Sequence, residues 1–387
     1  MISYGKQSID QSDIDAVIDA LKSDWLTQGP LCEVFEKNLN KSFGSKYSCA
    51  VANGTAALHL TGLALGWKPD DYIITTPLTF LATSNAIVYS GAYPVFVDID
   101  SKSNTIDPNL IEDKIISYKL DGKKIRAIIG VDFAGHPCNW RDLRFLADKY
   151  SLQLINDNCH AMGASYFEDK NYAVKYADVV TQSYHPVKNI TTGEGGAVLT
   201  NNKKIDQKIR SLRTHGIIKP DHKNNNNKPL WYYEMKELGF NYRITDFQCA
   251  LGSNQLSKLQ SFIDKRREIA LIYDKAFLRF DRFKIPLIND SIDHAYHLYP
   301  LQINFKDLKI NKNDFFFKMK ELGINLQVHY IPVHLQPYYR KKYGYKAGDF
   351  SISENFYKNE VSLPIYPNLS FDDVQIVIDK IIKITSS

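Results

Sequence analysis

The sequence predicts an α/β protein with a mostly parallel central sheet and a smaller α+β C-terminal lobe. Short runs rich in β-branched residues alternate with helical segments between about residues 50 and 200, and such alternation is typical of a parallel sheet covered by helices. After residue 245 the pattern changes to a long helical stretch followed by few strands. A chain of 387 residues also exceeds the usual size of one domain. We therefore expect a large domain at 1–245 and a small domain at 246–387.

The individual elements are predicted from periodicity and from turn residues. Apolar residues at helical spacing behind Ser12, with Asp15 in the position of a capping box, predict a helix over 12–22. The strands predicted for the large domain are Tyr72–Thr76, Val95–Asp98, Ala127–Asp132, Leu152–Asp157, Val179–Ser183 and Ala197–Thr200. The C-terminal part is predicted to hold a long helix from Asp246 to Phe277, strands at His297–Ile303 and Leu326–His329, and helices near Asp314–Leu322 and Asp372–Ile384.

Composition and charge exclude several classes of function. The net charge of +5 is spread along the chain, whereas nucleic-acid binders cluster their basic residues, so no nucleic-acid partner is expected. The five cysteines form no C-x-x-C pair and indicate reduced core thiols. No run approaches the roughly 18 apolar residues that cross a bilayer, and the first residues lack a leader pattern, so we expect a cytoplasmic protein without a membrane partner. The polar run Asn224–Asn227 is predicted to be an exposed loop without chemistry.

Three segments carry residues suited to chemistry. Lys188 lies between a predicted strand end and a glycine-rich turn, Thr191–Gly196. The segment Asn53–Leu58 begins an apolar helix with small residues, and the N–H groups and dipole of such a helix start suit a phosphate. Asp157 ends an apolar strand, where α/β sheets present functional side chains. Taken singly, each has an ordinary structural explanation, but together they are the parts of a pyridoxal phosphate (PLP) site.

Spaced motifs along nearly the whole chain resemble the PLP-dependent nucleotide-sugar aminotransferases of the DegT/DnrJ/EryC1/StrS family. The motifs are Leu26–Pro30, Asn53–Leu58, Pro77–Phe80, Phe133–Gly135, Asp157 with His160, Ser183–Ala197, Gly239–Arg243 and Val328–Tyr330. The resemblance implies the PLP-dependent transferase fold type I, which is aspartate aminotransferase-like. Segments such as Ser362–Pro367 look most like members of the pseudaminic acid pathway, which use L-glutamate to aminate carbon four of UDP-2-acetamido-2,6-dideoxy-β-L-arabino-hexos-4-ulose.

The resemblance implies a role for each residue of this sequence that matches a cofactor-binding position of the family. Lys188 matches the lysine that binds the cofactor covalently and moves the proton, and Asp157 matches the acid paired with the pyridinium nitrogen. His160 matches a position beside the phenolic oxygen, and Phe80 matches the aromatic residue stacked on the ring. The positions that match phosphate contacts are Thr55, Ala56, Ser183 and Asn241. In the family, the asparagine comes from the neighbouring subunit, so the resemblance implies a homodimer with shared sites.

The sugar-side assignments rest on weaker matches. Tyr4, Thr27, Gln28, Gly29, His329 and Tyr330 match segments that line the substrate cleft. Arg243 suits the glutamate carboxylate, the sugar diphosphate or a structural ion pair, and the role of His185 stays open. No metal ligand set is expected. Asn156 and Asn158 depart from the family pattern beside Asp157, and strand alternation points them away from its side chain.

Alternative functions remain at this point. Amination of another nucleotide-linked keto sugar, such as the bacillosamine precursor, would need a different pocket shape, which a sequence does not reveal. A PLP-dependent sugar dehydratase of the same family carries histidine in place of the lysine, which Lys188 argues against. A non-catalytic sugar-binding protein would not need Lys188, Asp157 and Ser183 intact.

Overall fold

The structure is a computed structural model that describes residues 1–219, 229, 231–288 and 290–386. The predicted Asn224–Asn227 loop lies outside these residues. The helices are α1 (Gln11–Lys22), α2 (Pro30–Phe43), α3 (Gly54–Ala64), α4 (Leu81–Tyr89), α5 (Pro108–Leu120), α6 (Trp140–Lys149), α7 (Tyr172–Tyr176), α8 (Lys203–Arg213), α9 (Asp246–Ser257), α10 (Leu259–Phe277), α11 (Lys312–Glu321), α12 (Pro337–Tyr343), α13 (Ser351–Asn359) and α14 (Phe371–Ser386). The strands are β1 (Tyr47–Val51), β2 (Asp71–Thr75), β3 (Tyr93–Phe96), β4 (Lys124–Val131), β5 (Gln153–Asp157), β6 (Ser165–Tyr166), β7 (Val179–Ser183), β8 (Gly196–Thr200), β9 (Ile217–Ile218), β10 (Glu234–Met235), β11 (Phe283–Lys284), β12 (Ile292–Asp293), β13 (Tyr299–Ile303) and β14 (Glu360–Leu363).

A seven-stranded sheet in the order β1-β8-β7-β5-β4-β2-β3 forms the centre of the molecule. Four neighbouring pairs are parallel, and β8 runs antiparallel to both β1 and β7. The strands are buried on both faces and rich in Val, Ile and Ala, as expected for a sheet covered by helices. Because all strands except β8 point the same way, the ends of β1, β5 and β7 meet at one edge. That edge carries the site.

A smaller antiparallel sheet of order β11-β13-β14 forms the second layer of structure. It packs with α10, α11 and α14 around a buried cluster that begins at Ile269 and ends at Ile381. The core of the large sheet extends into α10, since it includes Leu259 and Ile263. The domain division at 245/246 stays a prediction, and α10 contributes residues to both cores.

Several predicted elements differ from the structure. Helix α1 begins behind Asp10, whose side chain forms the capping box with Asp13, so the predicted Ser12–Asp15 box was wrong. Strand β1 was not predicted. The long helix predicted from Asp246 to Phe277 is two helices that meet at Lys258.

The strand predicted at Leu326–His329 is absent, and Gln327 makes only an isolated bridge to Ser362. The bridge does not extend into a strand, because the N–H of His329 donates to the side chain of Glu360 rather than to a backbone carbonyl.

The five cysteines are free. Cys32 and Cys159 are half-buried rather than core thiols, whereas Cys49, Cys138 and Cys249 are buried. No helix in the described part of the chain is both long and apolar enough for a bilayer crossing.

Candidate active site

A cavity of about 630 Å³ opens at the carboxyl ends of β1, β5 and β7. This is the edge at which parallel α/β sheets bind ligands. The predicted residues in its lining are Tyr4, Thr55, Phe80, Asp157, His160, Ser183, Lys188, His329 and Tyr330. Residues more than 300 positions apart in the chain therefore meet around one volume.

Lys188 lies on a short, well-tied loop between β7 and β8. Its N–H donates to the carbonyl of His185 at 2.9 Å. The backbone of Tyr184, at the start of the loop, is hydrogen-bonded to the backbone of Thr192 and Gly195, near its end. The amide of Asn189 donates to the carbonyl of Met162 at 2.8 Å. Burial lowers the pKa of the Lys188 amine, and the nearby Cys159 and Asp157 oppose that shift. A lowered pKa increases the fraction of neutral, nucleophilic amine.

Asp157 ends β5 and is almost completely buried. Its Oδ2 accepts a hydrogen bond from the hydroxyl of Thr83 at 2.7 Å, and Oδ1 accepts from the N–H of Cys159 at 3.3 Å. Thr83 in turn contacts the hydroxyl of Thr79 at 2.8 Å. These contacts fix the carboxylate plane against the cavity wall.

The start of α3 supplies small residues to the wall of the cavity. Asn53 caps the helix by accepting from the N–H of Ala56 at 2.8 Å, and Gly54 and Thr55 line the cavity. A Cβ added at Gly54 would come within 2.8 Å of Cβ of Ser183. Glycine at this position therefore lets the helix start and Ser183 come together, in a form suited to an anion.

Two buried histidines and Tyr330 form another part of the cavity wall. Nδ1 of His160 accepts from the N–H of Ala134 at 3.3 Å, so its ring proton lies on Nε2, which donates to the Tyr330 hydroxyl at 3.1 Å. Burial, with the nearby charge of Lys188, lowers the pKa of His160 well below its usual range. The same two causes lower the pKa of His329 to about 3. Both rings are therefore neutral near pH 7.

Six of the predicted residues do not line the cavity. Ala56 lies in the first turn of α3, and its N–H is used by the cap. The other five are Thr27, Gln28, Gly29, Asn241 and Arg243, all of which lie in two segments outside the cavity lining. The two segments are joined, because Thr27 bridges to Thr245 and the buried carboxylate of Asp246 accepts from the N–H of Gly29 at 2.8 Å.

Thr83 and His297 are two of the cavity residues that sequence reasoning did not name. Thr83 holds Asp157 from the first turn of α4, and its position three residues after the Pro77–Phe80 motif was a usable signal. His297 lines the cavity with its ring centroid 4.4 Å from that of His160. No sequence signal singled it out, since it lies inside an apolar strand pattern.

The fold, and a cavity lined by both a buried lysine and a strand-end carboxylate, fit a group-transfer enzyme of the aminotransferase class. The model of the DegT/DnrJ/EryC1/StrS aminotransferase family matches residues 7–382. A Campylobacter jejuni protein named UDP-4-amino-4,6-dideoxy-N-acetyl-beta-L-altrosamine transaminase is 41% identical over 384 residues, which cover 99% of this chain and 97% of that protein. The chain therefore belongs to the DegT/DnrJ/EryC1/StrS aminotransferase family.

Solved structures agree with this assignment. Helicobacter pylori PseC, described as an aminotransferase involved in the biosynthesis of pseudoaminic acid, matches with a TM-score of 0.89 and 33% identity over 100% of this chain and 99% of that one. The putative sugar aminotransferase Spr1654 from Streptococcus pneumoniae, in its PMP form, matches with a TM-score of 0.91 and 26% identity over the same shares of the two chains. The predicted fold, family and enzyme class are confirmed, whereas the roles of single residues stay predictions.

Proposed function

We propose that this protein transfers the amino group of L-glutamate to carbon four of UDP-2-acetamido-2,6-dideoxy-β-L-arabino-hexos-4-ulose. The product would be UDP-4-amino-4,6-dideoxy-N-acetyl-β-L-altrosamine, an intermediate for pseudaminic acid biosynthesis. The observation that carries the proposal is Lys188 beside Asp157 in a single cavity, in a chain with full-length similarity to the transaminase of that name.

The residues of the cavity fit PLP as the cofactor. The start of α3 and Ser183 form an anion cradle that a Cβ at Gly54 would fill, which suits the phosphate. Asp157 would hold the pyridine nitrogen in its protonated form, and Phe80, with 54% of its surface exposed beside the cavity, would cover the ring face. When bound, PLP supplies an electron sink that stabilises negative charge at the carbon losing a proton.

The protein's own groups would then hold and move protons. Lys188 would attach the cofactor and afterwards carry the proton between carbon atoms, because its amine is nucleophilic once neutral. His160, with its proton on Nε2 and that proton donated to Tyr330, would orient the tyrosine hydroxyl toward the cofactor's phenolic oxygen. Tyr4 and His329, whose ring centroids are 5.3 Å apart, would line the sugar side.

We also propose a homodimer in which each chain completes the other's site. Thr27, Gln28 and Asn241 are exposed on the surface of this chain rather than buried in its own cavity. Apolar side chains near the same segments are exposed as well, including 78% of Trp231, 55% of Trp25 and 77% of Leu238. A second copy would cover this apolar surface and receive Asn241 at its phosphate.

A complementation experiment tests shared sites. Lys188→Ala and Asn241→Ala chains, each poorly active alone, are expected to regain activity after subunit exchange, because each heterodimer then has one site with both residues intact. Random mixing would restore about one quarter of all sites. Wild-type chains mixed with Lys188→Ala chains serve as the control, because exchange there should leave the number of intact sites unchanged. Activity that never exceeds that of either parent would contradict sharing.

A substrate panel tests the reaction itself. The purified protein is expected to aminate the β-L-arabino 4-keto sugar with L-glutamate, and its kcat/KM should exceed that for the epimeric bacillosamine precursor. The two sugars differ in configuration at carbon five, which carries the methyl group, and the fit of one methyl group in an apolar contact accounts for a preference of about tenfold or more. Mass spectrometry of the product and loss of L-glutamate provide two independent measurements. A higher kcat/KM for the epimer would replace the proposed substrate while leaving the enzyme class intact.

A further inference from the structure

A chain of hydrogen bonds runs behind the wall of the cavity from Glu360 to His329. Glu360 and Ser362 lie two residues apart on β14, so their side chains share one face of the strand. Both residues are completely buried. The Ser362 hydroxyl donates to Oε1 of Glu360, and Oε2 of Glu360 accepts from the N–H of His329 at 3.1 Å. Nδ1 of His329 lies 2.8 Å from the Ser362 hydroxyl oxygen.

The direction of these bonds fixes the ring proton of His329. When Glu360 is ionised, both of its oxygens accept, Oε1 from the Ser362 hydroxyl and Oε2 from the N–H of His329. The only proton of the Ser362 hydroxyl is donated to Glu360, so the hydroxyl oxygen can only accept a hydrogen bond from the ring of His329. His329 must therefore carry its proton on Nδ1.

The second ring nitrogen, Nε2, is then an unprotonated acceptor. It has no hydrogen-bond partner among the described residues, and the ring that carries it lines the cavity. His160 has the opposite arrangement, since its Nδ1 accepts from a backbone N–H and its Nε2 donates. The two neutral histidines of one wall therefore present different faces, one a donor and the other an acceptor.

We infer that Glu360 and Ser362 are positioning residues, which hold His329 with its proton on Nδ1 so that Nε2 accepts a hydrogen bond from a hydroxyl or amide N–H of the sugar. This inference rests on the proposed function, because it assumes that a sugar occupies the cavity. The carboxylate acts through Ser362 and the histidine ring, and it does not itself line the cavity. A sugar lacking the donor would leave Nε2 without a partner.

The charge of Glu360 agrees with this geometry at mildly alkaline pH. Burial raises the pKa of Glu360 to about 7, and the positive charge of Lys312 and the N–H of His329 oppose that rise. A higher pH favours the ionised carboxylate, so the measurements are made at pH 8.

The variant Glu360→Gln distinguishes positioning from packing. Its amide oxygen is expected to accept from the N–H of His329, so its NH₂ group must donate to Ser362. The Ser362 hydroxyl would then donate to Nδ1 of His329, and the ring proton would move to Nε2. A nearly isosteric change thus inverts the hydrogen-bonding character of the histidine.

The decisive measurement is ¹⁵N NMR of the cofactor-loaded protein labelled at histidine, at pH 8 and without sugar. Wild-type His329 is expected to be protonated on Nδ1, with His160 as the internal example of the Nε2 form. Glu360→Gln, and more weakly Ser362→Ala, are expected to shift His329 toward Nε2. An Nε2 proton in the wild type, or an unchanged Nδ1 proton in Glu360→Gln, would overturn the inference.

Kinetics supply the second readout. Glu360→Gln is expected to raise KM for the keto sugar about tenfold, the effect of losing one neutral hydrogen bond, and to leave the half-reaction with L-glutamate within about twofold. The matched control is Glu354→Gln, which changes another Glu–His pair, Glu354 with His334 at 3.0 Å, outside the cavity lining. Equal losses in both half-reactions would indicate a structural role only. If the wild type aminates no sugar, the proposed function fails while the NMR result still decides the proton position.

Discussion

Replacing Lys188 by alanine is expected to abolish covalent attachment of the cofactor and to reduce turnover by at least about 10³-fold. In the proposed mechanism the variant loses both the nucleophile and the group that carries the proton, and a positioned acid–base group alone contributes about 10²–10⁴-fold. Borohydride treatment should fix the cofactor to the wild-type chain and not to the variant. The absorbance of bound cofactor and the single-turnover rate measure the two losses separately.

The fold should survive this change. Burial lowers the pKa of Lys188, so the charged form of this lysine is less favourable in the folded protein than in water. Alanine removes this unfavourable contribution. The apo forms of variant and wild type should therefore melt within a few degrees of each other. Lys188→Arg is the matched control, because it keeps a cation but offers no primary amine. Activity above a few per cent of wild type in either variant, without added amines, would refute the assignment.

Replacing Asp157 by asparagine is expected to reduce turnover by about 10²-fold, the scale for losing one preorganised charged partner. A neutral amide does not keep the pyridine nitrogen protonated. The local hydrogen bonds should adapt, since Oδ1 of the asparagine still accepts from Cys159 and its NH₂ group can donate to Thr83, whose hydroxyl can turn toward Thr79. The rate of each half-reaction and the melting temperature are the measurements.

A second buried carboxylate provides the control for Asp157. Asp132 accepts hydrogen bonds from Cys138, Trp140, Asn158 and Tyr172, and its side chain does not line the cavity. Asp132→Asn is expected to destabilise the fold by about 1–3 kcal/mol while preserving turnover per folded site. If Asp157→Asn instead lowers the melting temperature and leaves turnover unchanged, Asp157 only caps its strand.

Much of the fold and the centre of the site could be predicted from local sequence. Apolar strands that end in Asp157 or Ser183 predict the parallel sheet. They also predict which side chains lie at its carboxyl edge, because strand direction determines which end meets the ligand. The glycine-rich turn after Lys188 likewise marks a loop held close to the backbone. Such signals are contained in a few consecutive residues.

What could not be predicted depends on contacts between distant segments. Thr83 holds Asp157 across 74 positions, and His329 is bound by Glu360 across 31. The prediction of a strand at Leu326–His329 was wrong for the same reason. The N–H of His329, which a strand would have used, donates to the side chain of Glu360. Local periodicity contains no information about which distant group will compete for a backbone donor.

The continuity of α10 determines how this protein can be divided in the laboratory. One unbroken helix contributes Leu259 and Ile263 to the core of the large sheet and Ile269, Tyr273 and Phe277 to the core of the small one. A fragment that stops at residue 245 would expose the apolar surface that α9 and the first turns of α10 cover in the full chain. Expression of separate halves therefore calls for a cut inside α10 with a new helix end, or for co-expression of overlapping fragments.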